Sequence, residues 1–114
     1  MTNAGSHREP LCIDAAHPSF AGHFPGRPVV PGVVLLDGVL EAAQRLFGLS
    51  LETLRMPQVK FLQPLLPRQT AEVAFEQTAV DAGHARIRFR IERDGALLVS
   101  GELIAAVPIA VDVA

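Results

Sequence analysis

Cys12 is the only cysteine in the chain, so an intrachain disulfide is impossible and there is no thiolate pair for redox chemistry. It is expected to be a reduced, partly buried small hydrophobe. Trp and Tyr are absent, and six Phe remain. Any platform for stacking bases would have to come from those six, and a formal charge of -2 argues against a general polyanion binder. Nucleic acid is therefore not an expected partner. Long hydrophobic runs are missing too. The opening MTNAGSHREP has neither the apolar core of a secretion signal nor the length of a membrane span. The apolar stretch around 28–40 is broken by Pro31, Gly32 and Asp37. No membrane span is expected, and cytoplasmic residence is the default. The 114 residues suffice for one domain with a modest core, a size at which assembly into an oligomer is plausible.

Several familiar chemistries are excluded in the same way. There is no Gly-x-Ser-x-Gly elbow, no phosphate-gripping GxxxxGK[ST] and no dinucleotide GxGxxG. His7, His17, His23 and His84 have no short ligand spacing, and a single cysteine cannot complete a thiolate set, so no metal and no cofactor is expected. What remains is proton transfer by an imidazole and a carboxylate, assisted by backbone donors.

Residues 1–8 are small and polar and read as a frayed tail, with one domain over 9–114. EPLCID, residues 9–14, reads as a short strand. AAHPSFAGHFPGRPVVPG is too rich in Pro and Gly for regular structure and reads as a long shaped loop. Pro31 and Gly32 end it, and VVLLDGVLEAAQRLF is the one strong helix candidate, stopped by Gly48. Val33, Leu36, Leu40, Ala43 and Phe47 give that helix an apolar stripe assigned to the core. Gly38 lowers its stability relative to alanine and permits close approach by the sheet or a ligand. Beyond the helix the period becomes 2. A strand is expected around 54–62, with Lys60 and Phe61 on opposite faces, then three long antiparallel strands, the last two joined at Asp94–Gly95. Ile87, Phe89 and Ile91 alternate with Arg86, Arg88 and Arg90, which gives that strand one buried and one wet face. The expected class is α+β, one helix packed on a concave antiparallel sheet.

The stretch GHFPGRPVVPGVVLLD, residues 22–37, concentrates the chemistry. His23 stands between Gly22 and Phe24 in a loop held by Pro25, Pro28 and Pro31, where fixed φ angles can keep one side chain in place. On spacing alone, a structural and a catalytic histidine both fit. Asp37 likewise fits an ordinary helix surface, and Glu41, one turn on, fits the solvated border of the stripe.

From about residue 10 to 107 the chain resembles the hotdog-fold beta-hydroxyacyl-acyl-carrier-protein dehydratases of fatty-acid synthesis. The resemblance rests on GHFPGRPVVPGVVLLD, on VKFLQPLLPRQT after the helix and on GELIAAV in the last strand. It implies a long helix wrapped by the sheet, and a loop histidine working with a helix carboxylate, positions that fall on His23 and Asp37. The common form has glutamate where this chain has Asp37, and often glutamine where it has Glu41. Aspartate at position 37 is similar to the branch that both dehydrates and isomerises, but this chain is shorter than that branch and looks closer to compact relatives in specialised pathways, including aryl-polyene synthesis; the segment before LCIDAAHPSF is abbreviated too. The resemblance further implies a homodimer or larger assembly with the site built across the interface.

The implied reaction converts a 3-hydroxyacyl thioester to a trans-2-enoyl thioester and water. Gly32 would offer its amide to the thioester carbonyl, His23 would remove the C2 proton and a protonated Asp37 would donate to the leaving hydroxyl. In an alternative division His23 handles both proton movements while Asp37 orients water or substrate. Phe24, Val33, Leu36 and Glu41 are the expected substrate-binding residues. Arg27, Arg45, Lys60 and Arg68 are the expected docking charges for an acidic acyl carrier protein with a phosphopantetheine-linked substrate. The competing functions are a hotdog thioesterase and a non-catalytic acyl-binding subunit.

Overall fold

The computed structural model describes residues 6–12, 30–81 and 83–107. In chain order these form β1 (Ser6–Cys12), α1 (Gly32–Phe47), β2 (Ser50–Phe61), β3 (Thr70–Asp81), β4 (His84–Arg93) and β5 (Ala96–Ala106). The strands make one antiparallel sheet in the order β1-β3-β4-β5-β2. The two strands that flank the helix in sequence are therefore the two edges of the sheet. The helix connects them across its concave face, which is the hotdog arrangement.

Both ends of α1 are set by local chemistry. Pro31 has φ -59° and ψ 145°, which suits the residue before the first helical turn. Gly48 closes the helix with φ 67°, and its N–H donates to the Gln44 carbonyl, an arrangement that glycine adopts without a Cβ penalty. Asp94 and Gly95 both have positive φ (51° and 78°), as a tight two-residue turn between twisted strands requires.

The alternation along β4 is realised in full: Ala85, Ile87, Phe89 and Ile91 are buried, while Arg86, Arg88 and Arg90 are exposed. The β4 side chains meet Val73 and Phe75 of β3, Val99 and Leu103 of β5, and Leu35, Val39 and Ala43 of the helix in one core. Each fully buried Leu, Ile or Phe there contributes about 1.5–3 kcal/mol. Among the described residues no charged or polar side chain is buried.

Three expectations are corrected. The helix is rotated relative to the assigned stripe. Its buried set is Val34, Leu35, Val39, Ala42 and Ala43. Of the expected stripe only Ala43 is buried; Leu36, Leu40 and Phe47 flank the core, and Val33 is 70% exposed. The physical reason is that apolar residues surround most of the helix, so more than one face satisfies the period. The second correction concerns β1, which begins at Ser6, so Ser6–Arg8 of the supposed tail pair with Glu76–Ala74 of β3. The third concerns Cys12, which ends β1 exposed rather than partly buried.

Two glycines let the edge strands close on the helix. A Cβ on Gly38 would lie 2.8 Å from Leu11 Cδ1 of β1, and one on Gly32 would lie 2.8 Å from Phe61 Cε1 of β2. The far end of the helix is fastened by Phe47, whose ring meets His7 edge-on at 4.9 Å and Phe75 at 5.8 Å. No helix among the described residues is long and apolar enough to cross a membrane.

Candidate active site

The start of α1 is positioned from outside the helix. Leu65, in the loop between β2 and β3, is fully buried, and its carbonyl accepts the Val30 N–H at 2.8 Å. The loop is itself held on β5, since Leu62 and Gln63 donate to the Leu98 carbonyl at 2.8 and 3.2 Å. Its tip closes when the Leu66 N–H donates to Gln69 Oε1 at 3.0 Å, with Arg68 at φ 69°. A buried leucine between prolines thus anchors the entry to the helix.

That entry carries no side-chain cap. Pro31 has no side-chain oxygen to offer, and there is no acidic residue in the first turn. Val34 and Leu35 N–H groups both donate to the Pro31 carbonyl, at 3.0 and 3.2 Å. The Gly32 and Val33 N–H groups precede any carbonyl that the helix could supply, and the partial positive charge of the helix start favours an oxygen acceptor there. The Phe61 ring borders this position against Gly32. Phe61 is 53% exposed, and Val33 (70%), Leu62 (53%) and Leu66 (42%) are other large apolar side chains left open to solvent. Sequence reasoning missed Phe61, although its place as the inward neighbour of Lys60 was visible in the alternation.

Asp37 and Glu41 are both exposed and lie on the helix face turned away from the sheet, on the side where Val33 also emerges. Leu36 is half-buried between that face and the core. The helix therefore carries Gly32, Val33, Leu36, Asp37 and Glu41 within about two and a half turns. His23, Phe24 and Arg27 lie outside the described residues.

The expected docking charges do not form one group. Arg45, in the last turn of α1, is held by Glu9 of β1 through two hydrogen bonds, Nη1 to Oε2 and Nη2 to Oε1, both 2.6 Å. This pair holds the Glu9 carboxyl below its ordinary range, chiefly through the hydrogen bond from Arg45, and raises the Arg45 guanidinium. Lys60 stands on the opposite, outer face of the sheet, in register with Ser100, and Arg68 is exposed in the β2–β3 loop. Among the described residues no group of three or more His, Cys, Asp or Glu is placed to hold a metal ion.

The chain is 36% identical over 74 residues to the 3-hydroxyacyl-[acyl-carrier-protein] dehydratase FabZ of Chlamydia trachomatis serovar L2, a match covering 57% of this chain and 48% of that one. It thus spans about half the length of that curated relative. The FabZ of Albidiferax ferrireducens is 33% identical over 100 residues, covering 79% of this chain and 67% of its own. Among solved structures, a chain of the dehydratase heterocomplex ApeI:P from Xenorhabdus doucetiae superposes with a TM-score of 0.68 over 90% of this chain and 88% of that one. Its identity is 24%, so the likeness is one of fold. The family model described as ApeI-like, ApeI dehydratase, matches residues 2–102, and the chain accordingly belongs to the ApeI-like dehydratase family.

Proposed function

We propose that the protein eliminates water from a 3-hydroxyacyl thioester, delivered on an acyl carrier protein, to give the trans-2-enoyl thioester. The observation that carries this reading is the uncapped start of α1, with two free-facing backbone donors, on the same helix as the exposed carboxylate of Asp37. Polarisation of a thioester carbonyl by the Gly32 and Val33 amides would stabilise the enolate-like oxygen that forms when a proton leaves C2. Family membership supports His23 as the base. The C2–H bond breaks toward its imidazole, the released electron pair forms the C2–C3 double bond, and the C3–O bond breaks. Asp37 is the proposed donor of the proton that turns the leaving hydroxyl into water. Return of the proton from His23 to Asp37 completes the cycle.

Phe24, Val33, Leu36 and Glu41 are the proposed substrate contacts, with about 0.8 kcal/mol available for each methylene that the acyl chain buries. A second copy of the chain is proposed to complete the site. The helix face carrying Asp37 is not covered by the protein's own sheet, and β2 is a sheet edge ending beside the exposed Phe61, Leu62 and Val33.

The test is product analysis by mass spectrometry on a panel of 3-hydroxyacyl carrier-protein substrates, with folded His23→Ala and Asp37→Asn proteins in parallel. Water loss that falls at least about a hundredfold in each variant is expected. Free acid as the product would replace this reading by thioester hydrolysis, and no turnover on any chain length would leave a binding subunit.

A further inference from the structure

Asp37 and Glu41 are four residues apart on the open face of α1, so their side chains stand one above the other with a rise of about 6 Å. Arg45 follows Glu41 by four residues more, the spacing at which a glutamate and an arginine on one helix ordinarily pair. That cation is taken by β1. Arg45 Nη1 and Nη2 both donate to the Glu9 carboxylate, at 2.6 Å each. The guanidinium is raised chiefly by this hydrogen bond, and the charge of Glu41 is the smallest contribution. Among the described residues Glu41 has no ion pair. The Glu9 pair thus leaves an open carboxylate one turn beyond Asp37.

Val33, Leu36 and Leu40 border these two carboxylates at helical spacing, the first exposed and the others half-buried. An acyl chain whose carbonyl is held at the Gly32 and Val33 amides, and whose C3 lies at Asp37, runs along this apolar border and reaches Glu41 farther down the helix. A carboxylate accepts hydrogen bonds and cannot donate them. A methylene chain laid over it removes its water and returns no partner, which is unfavourable. A hydroxyl restores the lost bond in its stronger, charge-assisted form. It does so without the cost of drying an ammonium ion.

We propose that Glu41 selects acyl chains with a second hydroxyl at about the seventh carbon. An extended chain advances about 1.3 Å for each carbon–carbon bond, so a hydroxyl oxygen on C7 stands about 6 Å beyond C3. This is the interval between Asp37 and Glu41 along the helix. The proposal rests on the dehydratase reading and names its substrate class, a 3-hydroxyacyl thioester that is polar at its far end rather than a plain fatty chain.

The experiment compares wild type with Glu41→Leu and Glu41→Gln, each first shown to be folded by circular dichroism. The substrates are the N-acetylcysteamine thioesters of 3,7-dihydroxyheptanoic and 3-hydroxyoctanoic acids, which differ by a hydroxyl in place of a methyl at the chain end. Calorimetry on the matching amides, with NH in place of the thioester sulfur, measures binding without turnover. Wild type is expected to favour the dihydroxy chain at least about tenfold in kcat/KM and in Kd. Glu41→Leu should reverse the order, and Glu41→Gln, which keeps an acceptor oxygen without the charge, should retain a smaller preference. Equal handling of the two chains by wild type overturns the proposal, as does a wild-type preference that survives in Glu41→Leu. Failure of wild type to dehydrate either thioester overturns the dehydratase reading, and the amide affinities then decide the role of Glu41. Failure of both amides to bind as well overturns the two together.

Discussion

Phe61, the last residue of β2, lies so close to Gly32, the first of α1, that a β-carbon on Gly32 would sit 2.8 Å from its Cε1 and 2.9 Å from its Cζ. The open helix start is thus paired with an aromatic ring that packs against the bare α-carbon of Gly32. Gly32→Ala forces the ring to move, and overpacking of this kind costs about 1–2 kcal/mol. Because Phe61 is half-exposed, Phe61→Leu alone should cost less, about 1 kcal/mol. In the double variant the two costs should fail to add by about 1 kcal/mol. Urea unfolding of the four proteins measures this coupling, and strict additivity would show that the ring yields freely.

Gly101 is the harsher case. A β-carbon there would meet Phe89 Cζ at 2.5 Å, Cε2 at 2.7 Å and the Gln58 carbonyl oxygen at 2.9 Å. Phe89 is 1% exposed and has nowhere to turn, and the third neighbour is backbone. Gly101→Ala should therefore destabilise by about 3 kcal/mol, more than Gly32→Ala, with partial recovery when Phe89→Leu is added. Chemical denaturation gives the order directly. A smaller loss at Gly101 than at Gly32 would mean that β2 shifts easily in spite of its continuous pairing with β5 from Gln58 to Phe61.

These two glycines mark where the sequence was legible and where it was not. The helix ends at Pro31 and Gly48, the alternation of β4 and the Asp94–Gly95 turn could all be read, because each depends on a local steric or periodic rule. The core face of the helix could not. Val33, Leu36 and Leu40 compete with Val34, Leu35 and Val39 on equal hydrophobicity, and only the position of the sheet decides between them. Arg45 and Lys60 looked alike as surface cations, yet they stand on opposite faces of the sheet, a distinction that comes from strand register. Asp37 and Gly32 were singled out through family resemblance, whereas Phe61 needed the fold to bring β2 back to the helix start.

The bidentate pair between Arg45 and Glu9 ties the last turn of α1 to β1, and it should give stability a specific pH dependence. Glu9 has its folded-state value depressed below the usual 4.5 by the hydrogen bond from Arg45. A depressed carboxylate contributes stability that is fully present above its unfolded value and is lost as pH falls through the folded one. Wild type should therefore exceed Glu9→Gln in urea midpoint at pH 7, and the difference should shrink below about pH 4.5 and close at lower pH. It should also diminish in high salt, since Arg45 is largely exposed. A difference that grows on acidification would contradict the assigned sign.

Asp37 projects from the helix face that the protein's own sheet leaves open, so the proposed partner of its carboxyl is a histidine from another copy of the chain. This geometry has a consequence that single substitutions do not test. Suppose His23→Ala and Asp37→Asn chains are refolded together in equal amounts. With random pairing, half of the dimers are mixed, and each mixed dimer has one site bearing both substitutions and one bearing neither. The mixture should then recover about one quarter of wild-type activity, although each variant alone is inactive. Were both groups of a site drawn from a single chain, every site in the mixture would lack one of them and no activity would return. Light scattering on the same samples confirms that dimers are present, so a null result would identify a within-chain site rather than a failure to assemble.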